Sequence, residues 1–428
     1  MIIARHIEGK FRNLRYAVEA VLLLIFIICP WIVINTDQPL IRLDIPHRKF
    51  FFVGSIFVPE EGYILHLILI TLGLCLFFFT SLLGRLWCGW ACPQTVYTDI
   101  FDLAGRLILG KKLGKKDAPK ILTGLVQLSW VLIALTASFH FVAYFKSPYE
   151  MFSHLKSFSI PAGSFYPYAI MFFTAALYID IAFIREQFCK FACPYARLQT
   201  VLMDSDSYTV TYDHKRGEPR RKGTVKIGDC TSCNMCVVAC PTGIDIRDGL
   251  QLGCIGCAKC IDACTVQMDK ENKKTLIGYG SFNSVEKQEK IRWIRPRTIL
   301  YALLLSAIAG LLAYRLYVRE TILMGVFPDR NIPPMISGEK VRNFYKMEIY
   351  NVSYVEEKVT VESNSSELFK ISAGNTENSI SINPGEKKDL RIFVESDSQA
   401  KVPELVLSLK KADRTVVSKK VPFIKPRS

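Results

Sequence analysis

The chain has 428 residues, enough for two or three folded units. Half of it is hydrophobic with 22% charged residues, and the mean hydropathy is +0.21, so the apolar residues are concentrated in segments rather than spread through one soluble core. A net charge of +15 reads as the Lys/Arg excess of cytoplasmic loops in a membrane protein rather than as a nucleic-acid footprint, and no nucleic-acid partner is expected.

Five segments are long and apolar enough to span a bilayer, at roughly 17–36, 63–84, 121–145, 165–184 and 298–318. The first follows Arg5, Lys10, Arg12 and Arg15. It is too long for a signal peptide and no small-residue cleavage motif follows it, so it is expected to be a retained helix. The second ends in Trp87-Cys88-Gly89-Trp90-Ala91-Cys92-Pro93, and the fourth in Cys189-Lys190-Phe191-Ala192-Cys193-Pro194. If the helix continues through each pair, the i,i+4 spacing puts both sulfurs on one face. The proline after the second cysteine disfavours helix and turns the chain away. Four thiols at one depth can converge. Soft thiolates favour Cu(I), zinc or an iron–sulfur centre, and the bland alternative is that they pack as small hydrophobes. Solitary Cys29 and Cys75 read as packing residues.

Residues 230–241 carry Cys230, Cys233, Cys236 and Cys240 followed by Pro241, the C-x2-C-x2-C-x3-C-P run of bacterial ferredoxins, and Cys254, Cys257, Cys260 and Cys264 repeat the spacing. Of the 14 cysteines, eight therefore lie in two copies of one spacing. This is metal ligation in a reducing compartment, not a disulfide scaffold. Three thiolates two residues apart wrap one cubane while the fourth reaches the other cluster. One [4Fe–4S] cluster is thus expected on Cys230, Cys233, Cys236 and Cys264, and a second on Cys254, Cys257, Cys260 and Cys240; a pair of zinc sites is the competing reading. Thr265 stands where the second run would carry proline, which is not a ligand.

The stretches 85–120 and 185–297 are rich in Lys and Arg, and the opposite loops are poorer. The N-terminus and the 185–297 region are therefore expected in the cytoplasm and the chain after about 319 outside. From about 340, period-two runs at 358–362, 379–382, 390–394 and 405–409 predict a small immunoglobulin-like β-sandwich without cysteine. The fold class is mixed, with a five-helix transmembrane region, an inserted two-cluster ferredoxin-like α+β domain and this sandwich. The boundaries expected are 1–186 for a membrane region with four helices, 187–297 for the ferredoxin-like domain, 298–318 for the fifth helix and 319–428 for the outer domain.

His66 and His140 are intramembrane candidates as haem, quinone or copper ligands, with packing or interfacial hydrogen bonding the favoured reading. Asp180 is expected to pair with Arg185 at the membrane edge. Arg220-Arg221-Lys222 reads as an anionic-lipid contact or a solvated face.

The two cysteine-pair segments (Gly84 to Thr95 and Arg185 to Arg197), the stretch Thr211-Tyr212-Asp213-His214-Lys215-Arg216-Gly217-Glu218-Pro219-Arg220 and the two ferredoxin runs resemble the cytochrome c oxidase accessory protein family CcoG, also called FixG or RdxA, over about 10–420. The chain departs from the family pattern at Thr265 and Gly278, neither a metal ligand. The resemblance implies a bacterial inner-membrane oxidoreductase that reduces Cu(II) to Cu(I) on the cytoplasmic side for assembly of cbb3-type cytochrome oxidase. It also implies an unidentified cytoplasmic electron donor and a copper chaperone or transporter and oxidase assembly proteins as partners. Cys88, Cys92, Cys189 and Cys193 are then the copper-binding set. A quinol-linked electron conduit and a non-enzymatic copper-binding scaffold are the competing classes; the absence of a visible redox centre in the outer β region weighs against onward transfer there.

Overall fold

The computed structural model describes residues 4–35, 38–115, 117–157, 159, 161, 163–220, 228–329, 332–337, 340–353, 355–363, 370–372, 379–397, 405–411 and 414–424. The chain divides into two compact units, Met1–Ile32 with Leu67–Gly310, and Val33–His66 with Leu311–Ser428. This differs from the boundaries expected from sequence in two ways. The loop after the first helix groups with the C-terminal β region, and the ferredoxin-like insert groups with the membrane helices.

Five helices of 19 to 24 residues are long and apolar enough to cross a membrane, about 28–36 Å at 1.5 Å per residue. In the first unit α1 runs Lys10–Ile28 and α2 Gly62–Leu83, the latter leading in from the second unit. They are followed by the short α3, Leu86–Trp90, then α4, Pro93–Leu109, and α5, Lys120–Ala143. Next come α6, Pro148–Lys156, α7, Tyr166–Ile179 continued by a π-turn to Ile184, and α8, Pro194–Leu202. The fifth apolar helix is Pro296–Tyr317. Their exposed faces carry residues such as Leu69, Ile121, Phe172 and Leu303, the outward apolar surface that lipid requires.

Helix α1 starts seven residues before the expected 17 and ends before 36. Its basic first turns lie on the ferredoxin-like insert rather than in a loop, and Pro30 stops it in a 3₁₀ turn. No side chain of its own caps it. Instead the carboxylate of Asp262 accepts hydrogen bonds from the Phe11 and Arg12 amides at 3.1 and 2.8 Å, an anion at a helix N-terminus. Gly9 is needed for this approach, because a Cβ there would fall 2.1 Å from the Asp262 side chain.

The insert is built on an antiparallel pair, Thr209–Tyr212 with Ile277–Gly280, backed by the helix Lys259–Met268. Val210, Tyr212, Ile261, Met268 and Ile277 form its core.

The second unit is two antiparallel sheets. One orders Lys370–Ser372, Lys387–Asp397, Lys340–Asn351 and Ile322–Pro328, with Met335–Ser337 pairing on Lys340–Asn351; the other orders Ser379–Ile382, Glu357–Ser363, Leu405–Lys411 and Arg414–Val421. Every run expected from alternation is a strand. Alternate residues such as Tyr345, Met347 and Ile349, Val359 and Val361, and Leu405, Leu407 and Leu409 fill one core. Strands from the 33–66 segment add to this unit. Ile56 and Val58 pack with Tyr350 and Val352, Arg319 Nε donates to Glu61 Oε1 at 2.6 Å, and Lys49 Nζ donates to the Gly385 carbonyl at 2.6 Å.

Candidate functional site

The two cysteine runs fold into two loops of the same conformation. In each, the residues flanking the middle cysteine adopt left-handed backbone: Ser232 and Asn234 around Cys233, Gly256 and Ala258 around Cys257. Three of these four are not glycine, a conformation that costs about 1–2 kcal/mol per residue. Each loop thereby turns its sulfurs inward. One cavity is lined by Cys230, Cys233, Cys236 and Cys264, the other by Cys240, Cys254, Cys257 and Cys260, with Cys236 on the wall between. The structure thus gathers the eight cysteines into the two sets that the spacing gives, each completed by the last cysteine of the other run.

Burial pushes the Cys236 thiol up to about 11 and Cys254 up to about 12, and it also raises Cys257 and Cys260. Thiolates in such a place need positive charge among them, which metal supplies. Among the described residues no three His, Cys, Asp or Glu side chains close on a single-ion site. A tetrahedral Zn–S site draws its sulfurs to about 3.8 Å of each other, whereas a cubane holds its four cysteines around a wider body. The residues therefore fit [4Fe–4S] clusters better than zinc.

The CxxxCP pairs differ from the continuous helix considered above. Cys88 sits in α3, the chain turns at Ala91, and Cys92 is the extended N-cap of α4 with Pro93 at its first position. Cys189 lies in the π-turn Phe188–Ala192, and Cys193 is likewise the extended N-cap of α8 ahead of Pro194. Each proline starts a helix rather than ending one, its missing N–H being harmless at that position. The four thiols are neighbours, and as they stand they too close on no single-ion site. Burial, then Cys92, Cys88 and Cys193, pushes Cys189 up to about 12; burial, then Cys92, pushes Cys88 up to about 11. Gln199, fully buried on α8, accepts from Cys88 Sγ at 3.3 Å, while its Nε2 amide has no partner.

This thiol group abuts the second cysteine loop. A Cβ on Gly89 would lie 2.6 Å from the Cys257 backbone nitrogen and Cα and 2.7 Å from the Ile255 carbonyl, so only glycine fits there. Around that contact Trp90 Nε1 donates to Tyr279 Oη at 2.8 Å, and Tyr279 Oη donates to the Gly256 carbonyl at 2.6 Å. Arg85 clamps the same place, donating to the carbonyls of Leu252, Cys254 and Ala196 and, at 2.7 Å, to Thr200 Oγ1. Beside it Arg15 pairs with Asp99 and with Glu19 at 3.1 Å, and Lys259 reaches Asp99 at 2.7 Å.

Sequence reasoning missed Gly89, Arg85, Asp99 and Asp262. Only Gly89 left a trace, as a glycine between two cysteines of a helical stretch. It also mispaired Asp180. Arg185, with a positive φ that aims it at α4, donates to Asp102 at 2.6 Å, and Asp180 Oδ1 is buried without a partner. His66 and His140 take the expected bland role, each Nδ1 lying 2.7–2.8 Å from the carbonyl four residues earlier in its own helix. Arg220 is held by Glu218 at 2.7 Å and Asp248 at 3.1 Å, which argues against a lipid contact. Arg221 and Lys222 lie outside the described residues.

Comparison with known proteins follows the same division. A family profile described as a 4Fe-4S dicluster domain matches residues 184–282, one described as an Ig-like fold at the C-terminal of FixG matches 312–426, and one described as a 4Fe-4S binding domain matches 65–116. The chain is 36% identical over 375 residues to protein RdxA of Cereibacter sphaeroides, covering 82% of this chain and 80% of that one. It is 35% identical over 381 residues to RdxB of the same organism, covering 82% and 79%. To nitrogen fixation protein FixG of Rhizobium meliloti it is 30% identical over 451 residues, covering 92% and 86%. The chain belongs to the FixG/RdxA family, as a membrane iron–sulfur electron-transfer protein.

Proposed function

We propose that this protein reduces Cu(II) to Cu(I) at Cys88, Cys92, Cys189 and Cys193, on the cytoplasmic side of a bacterial inner membrane, in support of cbb3-type cytochrome oxidase assembly. The observation that carries the reading is the Gly89 contact, which puts the four thiols against the loop of Cys257. Cys230, Cys233, Cys236 and Cys264 would hold one [4Fe–4S] cluster and Cys240, Cys254, Cys257 and Cys260 the other; when bound, these groups supply single electrons. Cu(II) takes one electron and becomes Cu(I), which soft thiolates hold better than Cu(II). Cys88 gives up its hydrogen bond to Gln199 on binding the ion. Cys189 and Cys92 give up the protons that burial otherwise keeps on them. The reduced ion then passes to a copper chaperone or transporter.

The test is Cys88→Ala combined with Cys189→Ala. The double variant is expected to keep its iron and its cluster spectrum while Cu(I) binding and Cu(II) reduction fall to background. Copper reduction at the normal rate would end the proposal.

A second reading has one observation in its favour. The profile described as a 4Fe-4S binding domain covers Cys88 and Cys92, so the four membrane-edge thiols would hold a third cluster. The iron count decides: about eight per chain for two cubanes, about twelve for three.

A further inference from the structure

Between α1, α4, α5 and α7 lies a cavity of about 590 Å³. Its walls are aliphatic and aromatic, with Tyr97, Phe141 and Phe173 among them, and Pro93, next to Cys92, closes one side. Two side chains lining this apolar space carry a buried polar atom without a hydrogen-bond partner. Ser138, 2% exposed on α5, leaves its Oγ without a partner, and so does Asp180 at Oδ1 at the end of α7, although its carboxylate lies near the Gln94 amide. A serine within a helix ordinarily returns its hydroxyl to the carbonyl four residues back, as Thr136 does here. Leaving such atoms buried and unbonded in a membrane interior is costly, and an intramembrane carboxylate is a functional candidate by default.

An acyl chain would fill the volume but satisfy neither atom. A ligand that satisfies both needs an apolar, flat body with an oxygen on each of two sides, and it must reach the site through lipid. We propose that this cavity binds the ring of a membrane quinone, with one ring oxygen accepting from Ser138 Oγ, the other accepting from the Asp180 carboxyl in its protonated form, and the ring among the aromatic side chains. The volume accepts the ring and the first part of an isoprenoid tail, within the range of small-ligand pockets. The assignment goes beyond copper reduction and stands whatever the terminal electron acceptor is.

The test uses the whole protein with its iron, in lipid nanodiscs, and an azido-ubiquinone photoprobe, with labelled peptides mapped by mass spectrometry. Saturable labelling of the segments around 93–97 and 137–141 is expected, displaced by excess ubiquinone-1 and not by oleic acid. Ala137→Trp, which fills the space, should abolish labelling. Ser138→Ala, which keeps the volume, should weaken ubiquinone-1 about fivefold with iron content unchanged, so that binding is read apart from folding. Labelling spread over lipid-facing residues, equal displacement by oleic acid (an acyl-chain cavity), or unchanged affinity in Ser138→Ala would each overturn the proposal.

Discussion

Gly89 is the residue on which the thiol site and the second cysteine loop meet. The atoms facing its missing side chain are backbone, Cys257 nitrogen and Cα, and backbone cannot rotate away as a side chain can. Gly89→Ala is therefore expected to force the segments apart at a cost of about 1–3 kcal/mol, seen as a lower Tm and, under the proposed function, slower copper reduction. Gly278→Ala, where a Cβ meets nothing within 4 Å, is the control and should change neither. The contrast with the cysteines shows what the sequence reveals at this scale. Cys230 and its seven companions were legible because ligand type and spacing are themselves the chemistry. Gly89 was not, because its partner Cys257 is far away in the chain and only the fold brings it near.

At the scale of elements, α1, α4 and the helix Lys259–Met268 are tied through Asp99. Burial works to raise its carboxyl, but Lys259 and Arg15 outweigh burial and hold it below the usual carboxylate range. A depressed carboxyl contributes stability above its unfolded value of about 3.9 and loses that contribution as pH falls through the lower folded value. Asp99→Asn leaves Arg15 and Lys259 buried beside a neutral amide, a loss of about 3–5 kcal/mol at pH 7. Its unfolding free energy should also fall less steeply than that of the parent protein on acidification below about pH 4. Denaturant titrations at several pH values measure both effects, and a parallel slope would show that Asp99 is not the titrating group. The five apolar helices were readable from hydropathy alone. The break inside each CxxxCP pair was not, because proline after the second cysteine fits a helix start as well as a helix end. The strand Lys340–Asn351 was missed because Asn343 and Met347 occupy buried positions where β-branched residues mark other strands.

On the scale of the whole molecule, the loop between α1 and α2 is structured together with the C-terminal sandwich, through Glu61 with Arg319 and Ile56 with Tyr350. The two segments must therefore lie on one side of the membrane, which the even count of four spans between them satisfies: α2, α5, α7 and the last helix, Pro296–Tyr317, return the chain to the side it left. The charge asymmetry of the loops leads to the expectation that this side is the outer one. A reporter active only in the periplasm should then be active when fused after residue 428 and silent after residue 280. Activity at 280 would reverse the arrangement and rule out the proposed reduction of copper on the cytoplasmic side.

The cap on α1 also bears on the order in which the protein is made. The helix is the first apolar segment to leave the ribosome, yet its amides at Phe11 and Arg12 wait for a carboxylate about 250 residues downstream. Four of the five spans can be threaded into the bilayer before residue 262 exists, and a contact of that sequence separation forms late. The amino end of α1 is thus a joint that stays open until the segment carrying Cys260 and Cys264 has been made and has taken its helical form.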